Sequence, residues 1–221
     1  MKGNKPFVVL TALGLVSFVG LMCFWGQLPE EIPIHWNNAG EIDGYGGRGM
    51  LVFFGLLPVG LVTMMWAIPK IDPKRKNYQK HQGLYIFLMA AMTLLTIVLG
   101  WMTLFAALGV AVPVERVVPG FIGATIMVLG NYMARIRPNY TFGIKTPWTL
   151  ASETVWRKTH RMSGFWFTAG GFLMLLAAVF GSFIWLAVGV LLSGILFSYV
   201  YSWRLWRKEE HEKGADNEKE G

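Results

Sequence analysis

The residues that could carry chemistry in this chain lie in two polar segments between long apolar runs. The first segment, residues 28–48, contains an imidazole and four carboxylates. These groups could bind a metal ion or a cationic ligand, but a metal site usually needs three or more converging ligands. One histidine among scattered acids is weak evidence for a metal, and the Pro and Gly content of the segment predicts irregular, turn-rich structure. We therefore favour a folded cap that is hydrogen-bonded through His35 and Asp43.

The second segment, residues 135–163, combines basic residues with aromatic ones. Pro138 should end the preceding helix, and Ser152 with Glu153 in the next turn predicts the start of another. On that helix Glu153 and Arg157 are spaced to pair, and Trp156 shares a face with His160. The pattern predicts an interfacial helix with Trp156 toward lipid and a basic side toward headgroups. It is either a membrane-surface elbow, which the physics favours, or a docking surface for a cytoplasmic protein.

The elements that carry these segments are apolar and long. Hydrophobic residues make up 54% of the 221 residues and charged residues 15%, against roughly 25% charged in soluble domains. A bilayer-spanning helix needs about 20 predominantly apolar residues. Six runs qualify, with the last two joined by a turn at Gly181–Ser182: residues 7–25, 50–68, 84–110, 117–134, 164–181 and 183–203. The sequence predicts an all-α integral membrane protein with six transmembrane helices, the first retained because no small-x-small cleavage pattern follows it.

The distribution of Lys and Arg predicts the orientation of these spans. Alternate polar segments hold 18 of these residues on one side and 2 on the other, and the basic side of a membrane protein faces the cytoplasm. Both termini are therefore expected inside the bacterial cytoplasmic (inner) membrane, and this topology explains the net charge of +7 without nucleic-acid binding. The inner loop 69–83 is expected to be a solvated connector near anionic headgroups. The charged tail, residues 208–221, is expected to be disordered.

The predicted spans contain few side chains that could catalyse a reaction. They contain no Asp, Glu, Lys, Arg or His, and Asn131 in the fourth span is their most polar group of note. Because an intramembrane hydrolase needs a base beside its nucleophile, the serines within the spans do not predict an enzyme. We predict no catalytic residue, no metal and no cofactor.

Two other functional classes stay open as alternatives. A small-solute or lipid transporter without proton coupling is suggested by Asn131 and by the helix breaks at Pro58 and Pro119. A membrane enzyme using His35 and nearby acids on a metal is the least favoured. The single cysteine, Cys23, excludes a disulfide framework.

Two stretches carry a resemblance to a known family. The sequences GNYMARIRPNY at residues 130–140, GIKTPWTL at 143–150 and VWRKTHR at 155–161 resemble the core motif of the SdpI-like family of bacterial immunity proteins. The outer sequences LPEEIPIHWN at 28–37 and GEIDGY at 40–45 resemble the DUF1648-like segment that accompanies it. On this basis the chain divides into a DUF1648-like segment (1–83), an SdpI-like membrane domain (84–207) and the tail (208–221).

The resemblance implies resistance to a secreted, membrane-active peptide toxin, together with signalling by holding a cytoplasmic transcriptional repressor at the membrane. Besides membrane lipids, the implied partners are therefore a toxin outside and a repressor inside, with no direct contact to nucleic acid. The residues expected to bind toxin or another ligand outside are Glu30, Glu31, His35, Asp43 and Tyr45. Those expected to bind the inner partner are Arg137, Asn139, Lys145, Trp148, Trp156, Arg157, His160 and Arg161.

Overall fold

The computed structural model describes residues 4–73, 81–140 and 142–220, and the side chains of these up to Gly214. Residues 74–80 of the predicted connector 69–83 thus lie outside the described residues. The described elements are listed here in chain order: α1 (Lys5–Met22), β1 (Glu31–Trp36), β2 (Ile42–Gly47), α2 (Met50–Ile71), α3 (Gln82–Ala107), α4 (Val114–Met133), α5 (Pro147–Ala151), α6 (Glu153–Phe180) and α7 (Ile184–Glu220).

Five of these helices are long and apolar enough to cross a membrane: α1, α2, α3, α6 and α7. The prediction of a mainly helical membrane protein is confirmed. The fourth predicted span corresponds to α4, which does not reach the same apolarity and has Glu115 and Arg116 in its first turn. The count of six spans and the orientation therefore stay predictions.

The first three helices form one packed group. A Cβ on Gly14 of α1 would lie 3.0 Å from a methyl carbon of Val59 in α2, so the two helices approach closely. The indole N–H of Trp101 in α3 donates to the hydroxyl of Ser17 in α1 over 3.0 Å. This bond satisfies two polar groups that would otherwise lie unpaired within the bundle.

The remaining long helices form a second group in which α6 packs between α4 and α7. Helices α4 and α6 touch backbone to backbone. A Cβ on Gly164 would lie 2.8 Å from the carbonyl oxygen of Gly130, and one on Gly171 would lie 2.5 Å from the amide nitrogen of Met127. Any larger residue at either glycine would push the helices apart, because small residues permit such close helix contact.

Helix α7 differs from the prediction at its end. It follows α6 after the turn predicted at Gly181–Ser182, in which Gly181 is left-handed with φ +65°, and it continues as far as Glu220. The expectation of a disordered tail is wrong over the described residues. The Nζ of Lys208 lies 3.7 Å from Glu212, and that of Lys213 lies 3.4 Å from Glu209; such pairs four residues apart support a helix in water.

The outer segment forms an antiparallel β-hairpin where irregular structure was expected. Glu31 pairs with Gly47 and Trp36 with Ile42, and the register shifts near His35. At the tip, the side-chain oxygen of Asn37 accepts hydrogen bonds from the amides of Ala39 (2.9 Å) and Glu41 (3.0 Å). This turn chemistry, with burial of the first strand, organises a segment whose composition alone suggests a loop.

Candidate functional site: an outer hairpin and an inner elbow

The outer hairpin displays all five of the side chains predicted for it. Nδ1 of His35 lies 2.5 Å from a carboxylate oxygen of Asp43, which confirms the predicted hydrogen bond. Both side chains are exposed, at 70% and 44%. Glu30, Glu31 and Tyr45 are also exposed. The structure therefore places Glu31, His35, Asp43 and Tyr45 on one small sheet, with Glu30 directly before its first strand, and this hairpin carries negative charge.

An apolar base fixes the hairpin to the helices. Ile32 of β1 is fully buried, and it packs with Leu28 and with one leucine from each of the first three helices: Leu21, Leu51 and Leu104. The backbone amide of Arg48 donates to the carbonyl of Glu30 over 2.8 Å and closes the hairpin. The exposed groups therefore stand on a rigid support.

The tip of the hairpin reaches the second helix group. A Cβ on Gly40 would overlap the carboxylate of Glu115 in the first turn of α4, and Gly40 has φ +80°. A cavity of about 200 Å³ lies between Trp36, the tip, the start of α4 and the α6–α7 turn. The outer hairpin is thus in contact with α4, whose other end leads into the inner segment.

The inner segment forms an elbow, defined here as residues 134–163, and its central tryptophan is buried. Trp156 has no exposed surface, so the prediction that it faces lipid is wrong. Its indole N–H donates to the carbonyl of Ile136 over 2.7 Å. The physical reason is that Ile136 lies beyond the end of α4, so its carbonyl has no partner within a helix. A buried indole N–H in turn needs an acceptor.

His160 stacks on Trp156 with ring centroids 4.0 Å apart and is also fully buried. Its Nε2 accepts the amide N–H of Ile144 at 3.1 Å, and its Nδ1 lies 2.8 Å from the carbonyl of Trp156. Because an amide can only donate, Nε2 carries no proton and Nδ1 donates, which defines a neutral ring. Next to Ile144, Gly143 has φ +106°, and a Cβ there would overlap Nε2 of His160.

Asn139 and two threonines hold the rest of the elbow backbone. Asn139 is 2% exposed; its amide group donates to the carbonyl of Arg137 and accepts from the amide of Phe142, both at 2.9 Å. Thr146 and Thr149 form a reciprocal cap at the start of α5. Asn139, Trp156 and His160 therefore form a buried frame rather than the partner-binding face that was predicted for them.

The exposed part of the elbow is basic. Arg137, Lys145, Arg157 and Arg161 are exposed, and Trp148 is half-buried in an edge contact with Tyr199 of α7 at 5.0 Å. The predicted pair of Glu153 with Arg157 is wrong: no ion pair joins them. Within the described part of the chain, neither Arg157 nor Arg161 is paired with an acid. We call these four basic residues with Trp148 the inner basic face.

Two residues of the 69–83 loop form hydrogen bonds that support the elbow. The sequence predicted this loop to be a solvated connector near lipid headgroups. Asp72, 7% exposed, accepts the amide of Tyr140 at 3.3 Å. Nε2 of His81 accepts the amide of Arg137 at 2.9 Å. Asp72 lies 68 residues before Tyr140, and His81 lies 56 residues before Arg137. Contacts between residues so far apart leave no periodic pattern in the sequence.

Hydroxyl groups join the elbow to α7. Thr146 lies 3.1 Å from Ser202, and Ser163 lies 2.7 Å from Ser198, all four buried. Ser152 donates to Glu209 over 2.7 Å. Ser198 is one of the serines within the predicted spans, and here it stabilises helix packing. The described residues contain no group of three or more His, Cys, Asp or Glu side chains that could hold a metal ion.

Comparison with known proteins agrees with both halves of this arrangement. Residues 12–59 match the domain of unknown function DUF1648, and residues 135–202 match the SdpI/YfhL protein family. Immunity protein SdpI of Bacillus subtilis (strain 168) is 28% identical over 210 residues, which are 94% of this chain and 98% of that relative. No solved structure matches the chain.

The first match runs from within α1 through the hairpin into α2, and the second runs from the elbow into α7. The relative covers both regions in one chain of nearly the same length. The resemblance expected from the two loop motifs is therefore confirmed: residues 135–202 resemble the SdpI/YfhL family, residues 12–59 resemble DUF1648, and the chain is similar to Immunity protein SdpI along nearly its whole length.

Proposed function

We propose that the protein crosses the bacterial cytoplasmic membrane six times, with α4 as a span and both termini in the cytoplasm. The distribution of Lys and Arg supports this orientation. Helix α4 has 20 residues, enough to cross the hydrocarbon core at about 1.5 Å per residue. Its charged first turn lies beside the outer hairpin, where headgroups and water solvate it. In this topology the hairpin faces outside and the inner basic face lies at the cytoplasmic surface.

We further propose that the protein protects its cell against a secreted, membrane-active peptide toxin, without catalysis. The observation that carries this proposal is the similarity to Immunity protein SdpI along nearly the whole of both chains. The exposed acids of the hairpin, Glu30, Glu31 and Asp43, favour a cationic peptide because opposite charges attract it to this side of the membrane. His35 and Tyr45 would supply further contacts on the same sheet.

The inner basic face is proposed to hold a cytoplasmic repressor. Arg137, Lys145, Arg157 and Arg161 present positive charge beside Trp148, a combination suited to an acidic partner with an apolar anchor. Contact of the hairpin tip with Glu115 of α4 supports communication between the faces, because α4 runs into the elbow. Release of a fluorescent repressor fusion from the membrane in an Arg137→Gln, Arg157→Gln variant would support this role. Unchanged localisation would contradict it.

The immunity proposal is tested by toxin challenge of a sensitive bacterial strain with and without the gene. Expression should raise survival at least tenfold against a cationic membrane-active peptide, and the double variant Glu30→Gln, Glu31→Gln should lose most of this protection. Glu212→Gln is the matched control, since this exposed acid lies on the far end of α7. Equal killing with and without the protein would overturn the proposal.

A transporter of small solutes or lipids is the second candidate, favoured by the position of Asn131 on an apolar groove between α4 and α6. Solute or lipid flux in proteoliposomes, above that of empty vesicles, would support transport. Flux equal to that of empty vesicles, together with toxin protection in cells, would leave immunity as the function.

A further inference from the structure

A lengthwise groove runs along the surface between α4 and α6. It encloses about 600 Å³, within the range of roughly 300–1,000 Å³ that is typical of ligand sites. Its floor is backbone, because Gly130 and Gly164 bring the helices into direct contact. Phe165 and Phe172 form an exposed wall, at 71% and 52%. The groove is therefore narrow, apolar and open to the side that would face lipid.

One end of the groove is polar and cationic. Arg161 and Asn131 line that end, next to Ala134. Arg161 forms no ion pair among the described residues, and the side-chain amide of Asn131 makes no hydrogen bond with them. Arg135 lies nearby in sequence and Arg157 lies one turn before Arg161, whereas the one acid within residues 130–163 is Glu153. Positive charge and an unused amide thus meet where the apolar groove ends.

The length of the groove fits one leaflet of a membrane. From Arg161 to Phe172 the helix rises about 16 Å, at about 1.5 Å per residue. Half of a hydrocarbon core of about 30 Å is about 15 Å. In the proposed topology, Arg161 lies at the cytoplasmic headgroup level and Phe172 lies near the middle of the bilayer. An extended acyl chain of the inner leaflet therefore matches the groove in length and polarity.

We propose that this groove is a binding site for an anionic phospholipid of the inner leaflet. One acyl chain lies over Gly130 and Gly164 along the phenylalanine wall, and the phosphate contacts the guanidinium of Arg161. Arginine suits this role because its planar donors match phosphate oxygens. Asn131 donates to the ester or phosphate oxygens. The site is distinct from the proposed toxin and repressor surfaces except that Arg161 also belongs to the inner basic face.

The test is lipid retention measured by native mass spectrometry on protein purified in mild detergent. Phosphatidylglycerol and phosphatidylcholine with identical acyl chains are supplied in equal amounts. The wild type should retain phosphatidylglycerol in at least fivefold preference, and Arg161→Gln should abolish the preference. Arg204→Gln, which removes an exposed arginine from α7 and lies outside the groove, should not. Arg161→Lys should keep part of the preference, and size-exclusion profiles and unfolding temperatures confirm that each variant is folded.

A second variant separates the acyl chain from the phosphate. Ala169 lines the groove and is exposed, so Ala169→Phe should fill the groove and lower retention of both lipids. Glycerol phosphate without acyl chains should not compete.

Equal retention of the two lipids by the wild type, an unchanged preference in Arg161→Gln, or full competition by glycerol phosphate would overturn the proposal. If Ala169→Phe keeps its lipid and loses toxin protection, the groove binds a peptide and the lipid assignment is wrong. Protection itself is scored separately, so loss of lipid binding with intact protection leaves the immunity proposal standing.

Discussion

The outer hairpin and the inner elbow use their distinctive residues in opposite ways. In the hairpin, the polar side chains point away from the protein, and the apolar residues below them provide the support. In the elbow, Trp156, His160 and Asn139 point inward and each bonds to backbone, while less distinctive basic residues form the surface. The motif residues are therefore exposed in the hairpin, where we propose recognition, and form a buried scaffold in the elbow.

This difference separates two kinds of mutational effect. A change in the elbow frame removes a hydrogen bond from buried backbone, which costs the full desolvation of the group left behind. A change in the exposed hairpin groups leaves solvated partners and should alter recognition with little effect on folding. Three substitutions test the comparison, in order of decreasing effect on stability.

Trp156→Ala should have the largest effect. It removes a fully buried indole, for which truncation costs about 3–5 kcal/mol, and leaves the carbonyl of Ile136 without its partner. We expect a much lower unfolding temperature in detergent and poor expression. Trp185→Ala is the control, since Trp185 is 68% exposed. Similar unfolding temperatures for the two variants would contradict the buried-frame interpretation.

Gly143→Ala should destabilise the elbow locally. Alanine is strained at φ +106°, by about 1–3 kcal/mol, and its Cβ would displace His160 from the amide of Ile144. Trypsin should then cut faster after Lys145, which lies two residues further on. Gly47→Ala in the hairpin is the matched control, because a Cβ there meets nothing within 4 Å. An unchanged rate of cleavage would show that the ring does not hold this loop.

Asp43→Asn should have the smallest effect on stability. The pair with His35 is exposed, and exposed ion pairs contribute about 0–1 kcal/mol. We expect an unfolding temperature near that of the wild type and reduced survival in the toxin challenge, because one exposed negative charge is lost. A large fall in unfolding temperature would show that the hairpin, like the elbow, uses its polar residues as a frame.

Much of the fold could be predicted from hydropathy, because lipid requires long apolar helices and the chain shows them clearly. The turn at Gly181 also followed from local sequence. Helix contacts did not: Gly189 meets nothing within 4 Å, whereas a Cβ on Gly130 or on Gly171 would lie 2.5 Å from a backbone nitrogen of the facing helix. Glycine is frequent in all membrane helices, so spacing within one helix cannot tell which glycines face a partner.

For the two polar segments, the sequence indicated which residues matter more readily than what their side chains do. The bond between His35 and Asp43 followed from their chemistry within one short segment. The burial of Trp156 did not, because a periodic pattern gives the face that a residue shares but not what covers that face. Here the cover is the chain beyond α4, and its supports, Asp72 and His81, come from a distant loop.

The modest apolarity of α4 has a consequence for how the protein is made. Spans enter the membrane from the translocon according to their hydrophobicity, and α4 lies below its five neighbours in this respect. Its glycine-lined contact is with α6, which ends at Phe180, 47 residues after α4 ends at Met133. At about 5–20 residues per second, α4 would wait about 2–10 s for that partner. We expect α4 to settle in the lipid only when α6 arrives, so that a nascent chain truncated within the elbow leaves α4 exposed to water.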